Sequence, residues 1–285
     1  MTGRLRLLSI LEHGAQLLRR VGLGRIVDGV AGRVAPIVGT FAIEVDGLQL
    51  EGDHIGQLYY VRELAETGRE AYFVEQLTAA AAPGATVLEG GAHIGYLTLQ
   101  AARSVGPDGE VVCFEPNPRT VPVLERNVAA NGFQERVRIV PAALGRAHGR
   151  AELHITGGGD TSSLHGAAAA GDVVAVEVTT ADSALPAPAT VDVVKLDIEG
   201  AEVAALEGMR ALLERSAPGP VLFLECNPDL LRAAGSSEDE LMTLLDELGF
   251  DPRWLDEAGR CLRRLDERDG TEGYVNLLCR RRPAS

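Results

Sequence analysis

The stretch TVLEGGAHIGYLTL (86–99) opens on an apolar run, closes that run in glycines and passes into a helix-forming segment. It reads as a strand over 86–91 followed by a helix over 94–104. The same alternation continues downstream. VVCFEP (111–116) predicts the next strand, with a helix over 118–130, and VRIVPAAL (137–144) predicts a third. A polar insertion over 145–171 holds GGGD (157–160) and a run of alanines, and VVAVEVTT (173–180) reads as an extra or edge strand. VDVVKLD (191–197) with a helix over 200–214, VLFLECN (221–227) with a helix over 237–248, and YVNLLCRR (274–281) complete the series. Strands alternating with helices imply a mostly parallel α/β sheet covered on both faces, with ligands outside the carboxyl ends of the strands.

Bulk properties narrow the function. The chain has 285 residues, 46% of them hydrophobic, which suits one α/β domain plus an appendage. Aromatics at 4% and a formal net charge of −14 argue against nucleic acid as partner. Cys113, Cys226, Cys261 and Cys279 are widely spaced and form no CxxC pair, which fits a reduced, cytoplasmic protein. No run of about 18 apolar residues predicts a membrane span. Residues 4–35 carry apolar side chains at helical spacing and six arginines against Glu12 and Asp28. They read as helices packed on the domain or on a second copy, hence a homo-oligomer contact, with a membrane-surface helix as the alternative. The expected division is an N-terminal helical or irregular extension over 1–75 and a catalytic domain over 76–285.

Three strand ends carry the candidate chemistry. Glu89, Gly90, Gly91, Ala92, His93 and Gly95 form a turn where backbone comes close to a ligand and a helix offers free N–H groups. The turn also reads as G-x-A-x-x-G, so by itself it fits dinucleotide sites equally. Glu115, followed by Asn117, stands where an acidic side chain accepts both hydroxyls of a ribose, and its spacing does not separate S-adenosylmethionine from NAD. KLDIEGAE (195–202) gathers three carboxylates where a strand hands over to a helix. Period-two geometry places Lys195 and Asp197 on one strand face. Lys195 is the only lysine in the chain, the other 26 of the 27 basic residues being arginines, so a compact ammonium is indicated there. A Lys–Asp pair that only stabilises the strand end is the alternative.

The order VLEGGAHIGYLTL (87–99), CFEPNP (113–118), LERNVAANG (124–132) and VKLDIEGAE (194–202) resembles the FkbM family of S-adenosylmethionine-dependent O-methyltransferases. The resemblance covers roughly 86–227. It implies a Rossmann-like class I methyltransferase fold with a seven-stranded sheet. It implies a cofactor held by the glycine turn, Glu115, Asn117, Ala142 and Asp197, and an acceptor entering beside Asp197 to Glu202. Glu89 stands where the family usually has aspartate, and His93 where asparagine is usual.

Methyl transfer from a sulfonium needs alignment, exclusion of water and removal of the acceptor's proton. Asp197, Lys195, Glu199 and His165 are the catalytic candidates, with His154 as a further base; the two histidines fall in or beside the insertion. The expected acceptor is a small-molecule hydroxyl of a sugar, glycoside or polyketide type. Asp197, Glu225 and Asn227 end neighbouring strands and offer hard oxygen donors suited to Mg²⁺. The alternative for the last two is a hydrogen-bonded turn ahead of Pro228. A nicotinamide-dependent oxidoreductase and a non-catalytic methyltransferase-like scaffold are the competing functions.

Overall fold

A computed structural model describes residues 40–155, 162–164, 172–216, 218–268 and 273–282. The hairpin β1 (Phe41–Val45) and β2 (Leu48–Gly52) comes first. Its Asp46-Gly47 turn has φ of 52° and 75°, the left-handed pair that matches strand twist. Helices α1 (Ile55–Thr67) and α2 (Ala71–Ala80) follow, the first closed by Gly68 in the left-handed conformation.

The alternating region then builds the sheet. β3 (Thr86–Gly90), α3 (Tyr96–Val105), β4 (Glu110–Phe114), α4 (Val121–Ala130) and β5 (Val137–Val140) run outward from its centre. After a second small sheet the chain returns as β10 (Val193–Leu196), the short helices α6 (Glu202–Glu207) and α7 (Arg210–Arg215), and β11 (Val221–Cys226). Helices α8 (Pro228–Ala233) and α9 (Glu238–Glu247) lead to β12 (Phe250–Asp256), β13 (Cys261–Arg263) and β14 (Val275–Arg281). The order across the sheet is β13-β12-β14-β11-β10-β3-β4-β5. β5, β4, β3, β10 and β11 are parallel, whereas β14 slots antiparallel between β11 and β12. The chain reverses direction of travel between β3 and β10, so their carboxyl ends open a crevice.

Burial follows from the pleat. Val87, Val111, Val193 and Phe223 face one core with Leu77 and Leu99, while Leu88, Val112, Val194 and Leu224 face another with Leu206 and Leu241. Leu48 and Leu50 of the hairpin and Val61 and Leu64 of α1 lie in the first of these cores. Residues 41–67 therefore pack on the sheet's helices, with a hairpin where the sequence suggested helix or irregular chain.

The expected Rossmann-like sheet is present, with eight strands rather than seven because β13 extends the β12 edge. The strand expected over 137–144 is split. Pro141 has no amide to donate, and Ala142 N–H turns back to the Val140 carbonyl, so β6 (Ala143–Leu144) joins another sheet. That sheet, β6-β9-β7-β8, uses β7 (Gly149–Ile155), β8 (Ser162–Ser163) and β9 (Asp172–Thr179), so the insertion is itself partly β. α5 (Ala181–Ala184) connects it to β10. The helix expected over 200–214 breaks at Gly208-Met209 into α6 and α7.

Candidate active site

The crevice is lined by the ends of β3, β4 and β10. Gly91 follows β3 with φ 78°, and its amide and that of Ala92 both donate to the Phe114 carbonyl at the end of β4. A Cβ at Gly91 would stand 1.9 Å from the Asp197 carbonyl oxygen. Only glycine admits this approach of the first loop to the end of β10. Gly90 is engaged as well, its carbonyl accepting from Asp197 N–H at 3.2 Å.

Beneath the loop lies a buried charge chain. The Lys195 ammonium donates to the Gly91 carbonyl at 2.9 Å and stands 3.4 Å from Glu89 Oε1 and 3.9 Å from Asp197 Oδ2. Glu89 Oε2 accepts from the Thr98 hydroxyl at 2.5 Å. The Lys195 and Glu89 side chains are 5% and 3% exposed, against 50% for Asp197. Burial disfavours the Lys195 charge, yet Glu89, Asp197 and Glu70 outweigh it and hold its pKa above the usual lysine value. Burial raises Glu89 in spite of Lys195 and Thr98. Lys195 therefore braces the glycine loop from below, while Asp197 opens to the crevice.

At the end of β4, Glu115 accepts from His93 N–H and Asn117 N–H, each at 2.8 Å, one on each carboxylate oxygen. Burial pushes its pKa up to about 7 against those two donors. Each oxygen keeps a second lone pair, the acceptor set that a vicinal diol requires. Asn117 turns its own Oδ1 to Arg119 N–H. Ala142 sits at the carboxyl end of neighbouring β5, and Gly95 caps the start of α3. The glycine cradle, the two-oxygen acceptor and the half-open Asp197 carboxylate suit a nucleoside cofactor carrying an amino-acid tail. The cofactor candidates of the sequence thus converge on one crevice.

The acidic turn after β10 is organised by its own backbone. Glu199 has φ 57° and Gly200 φ 100°; Glu202 folds back to accept from Ile198 N–H at 3.0 Å and Gly200 N–H at 3.4 Å. The Ser163 hydroxyl of β8 donates to the Glu199 carbonyl at 3.4 Å, so the second sheet covers this side. His154, on β7 and in register with Ser163, holds Nδ1 buried without a hydrogen-bond partner among the described residues. His165 lies outside the described residues, as do 1–39 with the basic amphipathic stretch.

The expected Mg²⁺ site finds no support in the geometry. Asn227 Oδ1 accepts from Asp229 N–H at 3.2 Å and Leu230 N–H at 3.3 Å, capping α8 ahead of its first turn. The amide is committed to the turn at Pro228, which leaves two carboxylates. Glu225 is held as the neutral acid up to about 9, by burial and then by Asp197, Glu199 and Glu202. Among the described residues no group of three or more His, Cys, Asp or Glu side chains is placed to hold a metal ion.

Two groups of the crevice lie outside the sequence motifs. Tyr60 of α1 sets its ring 5.4 Å from the His93 ring, edge to face. Burial, with Glu70 and Asp197 next, raises its phenol well above the usual value. Glu70, ahead of α2, is pushed to about 7 by burial and then by Asp197. Neither residue follows a strand of the alternating region, so no strand-end motif marks it.

The model of the methyltransferase FkbM domain matches residues 89–252. Among solved structures, an S-adenosylmethionine-dependent O-methyltransferase from Thermotoga maritima superposes with TM-score 0.44 at 14% identity, over 86% of this chain and 79% of that one. An S-adenosylmethionine-dependent methyltransferase from Aquifex aeolicus gives 0.44 at 16% identity, over 77% and 97%. The TYW2 protein of M. jannaschii in complex with AdoMet gives 0.44 at 12%, over 85% and 84%. No curated protein matches the chain in sequence.

Proposed function

The chain belongs to the FkbM methyltransferase family and is an S-adenosylmethionine-dependent methyltransferase, and we propose that it methylates a hydroxyl oxygen of a small sugar, glycoside or polyketide-type molecule. When bound, the cofactor supplies the electrophilic methyl group. The chain's own residues hold, orient and exclude water. Gly90, Gly91, Ala92, His93 and Gly95 form the cradle for the amino-acid end, with Glu89 and Lys195 fixing its shape from below. Glu115, Asn117 and Ala142 take the nucleoside end. Asp197 and Glu199 face the acceptor. The observation that carries the hydroxyl reading is the half-open Asp197 carboxylate beside Glu70, a group balanced near neutrality. An alcohol must lose its proton as it reacts, and carboxylates at the methyl-transfer face serve that need.

We assign the methyltransferase domain, with its cofactor cradle, to 76–285, and to the 1–75 extension a role in self-association and in covering and completing the acceptor side. Among the described residues no helix is long and apolar enough to cross a membrane. All four cysteines are free thiols, which supports a cytoplasmic setting. The acceptor type is tested with cofactor labelled by ¹³C in the methyl group and a panel of glycosides, polyols, amines and activated carbon acids. O-, N- and C-methyl carbons resonate in separate regions of the spectrum. An N- or C-methyl product as the sole product would refute the hydroxyl assignment.

A further inference from the structure

Glu70 occupies the N-cap position of α2 with φ 66°, yet its side chain does not cap the helix. The first amides of α2 go elsewhere. Tyr72 N–H and Phe73 N–H donate to the two carboxylate oxygens of Glu257, at 3.2 and 2.9 Å, from the turn between β12 and β13. Arg260 of that turn pairs with Glu75 and lies over the Tyr72 ring, which fastens the start of α2 to the sheet edge. A carboxylate at a helix N-terminus ordinarily satisfies those amides. With Glu257 in that role, Glu70 is not needed as the cap, and it lies within electrostatic reach of Asp197 and Lys195 at the end of β10. Among the described residues its Oε2 is buried and has no hydrogen-bond partner, while Oε1 stands 3.8 Å from Arg69 Nε.

Several other acids of the crevice are committed. Glu89 is tied to Lys195 and Thr98. Glu115 and Glu202 each accept two amides. Asp197 is paired with the Lys195 ammonium at 3.9 Å. Burial, with Asp197, Glu199 and Glu202 next, pushes Glu225 up to about 9, which disfavours its charged form. Resting on the hydroxyl reading above, we propose that Glu70 accepts the proton of the acceptor hydroxyl during methyl transfer. The hydroxyl oxygen's electron pair forms the new bond to the methyl carbon. The methyl–sulfur pair stays on sulfur, and the proton passes to a Glu70 oxygen. The charged and titratable groups that act on Glu70 are Arg69 from its own turn, Asp197 and Lys195 from the end of β10, and Glu257 from the β12–β13 turn. Tyr60 of α1 and Tyr96 of α3 sense Glu70 in turn.

The test needs no acceptor. Adenosylhomocysteine is compared by calorimetry with sinefungin, the analogue in which a protonated amine replaces the methylsulfonium. A carboxylate at the transfer face favours that amine over the neutral thioether. Glu70→Gln is expected to lower the preference for sinefungin by about tenfold, the worth of one charge-assisted contact, with adenosylhomocysteine affinity unchanged. In the wild type the preference should fall as pH drops from 8 to 6, because a group pushed to about 7 is neutralised in that window. In Glu70→Gln it should stay flat. Glu115 and Glu202 are held near 7 as well, but Glu115 meets the part common to both ligands and Glu202 is bonded to the amides of its own turn, so both cancel in the ratio. Glu70→Ala serves as a second variant if the amide disturbs packing, and its ratio should match that of Glu70→Gln. A ratio unchanged by both substitutions, or a loss equal for both ligands, would overturn the proposal. An unchanged ratio with an O-methyl product removes Glu70 alone; an N-methyl product removes the hydroxyl reading instead.

Discussion

Replacing Lys195 by methionine isolates the buried charge chain under the glycine loop. The ammonium is 3.4 Å from Glu89 Oε1 and 3.9 Å from Asp197 Oδ2, and its own side chain is 5% exposed. At an effective dielectric of about 20, attraction at the shorter distance is about 5 kcal/mol before desolvation is counted. Removing one partner of such a pair strands the other, a cost of about 3–5 kcal/mol. For a chain of this size that lowers the melting temperature by about 10 °C. The sign of the pH dependence follows from Glu89, whose pKa burial already raises with Lys195 present. Without the ammonium it rises further above its unfolded value. The variant then retains stability at pH below the ordinary glutamate range and loses it as pH rises through the raised folded value. Scanning calorimetry should show a larger deficit at pH 8 than at pH 5. Glu89→Met on top of Lys195→Met should recover most of it, since two apolar groups replace a pair. Equal deficits at both pH values, or no recovery in the double variant, would refute the reasoning.

Gly91→Ala sets a Cβ 1.9 Å from the Asp197 carbonyl oxygen at φ 78° and should remove adenosylhomocysteine binding while circular dichroism keeps the fold; calorimetric affinity within twofold of wild type would show that the loop is not the cradle. Glu115→Gln should weaken adenosylhomocysteine by about 10–100-fold, the loss of charge-assisted contacts. Wild-type affinity should decline from pH 8 to 6 as a carboxylate held near 7 is neutralised, whereas the variant should show no such slope. Asn227→Ala removes the α8 cap and should cost about 1 kcal/mol of stability, read by denaturant titration. Adding Mg²⁺ or EDTA should leave the melting temperature of wild type and variant alike; stabilisation of the wild type alone by Mg²⁺ would restore the metal site.

What was legible in the sequence was what local pattern controls. The five parallel strands carry continuous apolar runs because both faces are covered, and the glycine turn, Glu115 and Asp197 each sit immediately after such a run. Their position outside the carboxyl ends therefore follows from strand boundaries alone. Asn227 was ambiguous, since an amide before proline suits a metal and a cap equally, and only the Asp229 and Leu230 amides decide between them. β9 was legible as an extra strand over 173–180, but its partner β7 was hidden by the exposed, alternating side chains of Gly149–Ile155, which read as a polar loop. Glu70 and Tyr60 were illegible for a different reason. They reach the site through packing of α1 and α2 on the sheet, a long-range arrangement that no spacing within 55–80 encodes.

Backbone strain ties these pieces together. Among the described residues, five other than glycine have positive φ: Asp46, Glu70, His93, Glu199 and Arg260. Asp46 and Arg260 belong to hairpin turns, each beside a glycine. The remaining three belong to the crevice, one from each wall: the α1–α2 turn, the loop after β3 and the turn after β10. Left-handed backbone costs such residues about 1–2 kcal/mol each, which glycine would avoid. The chain keeps a side chain other than glycine at all three positions, and each turn is held by neighbours that oppose relaxation. His93 N–H is fixed by Glu115, the Gly200 amide after Glu199 by Glu202, and the helix after Glu70 by Glu257. Three glutamates thus bond backbone amides in or beside three strained turns. Because the strain lies in the backbone and the restraint in those carboxylates, Glu115, Glu202 and Glu257 shape the crevice even where they do not touch what it binds.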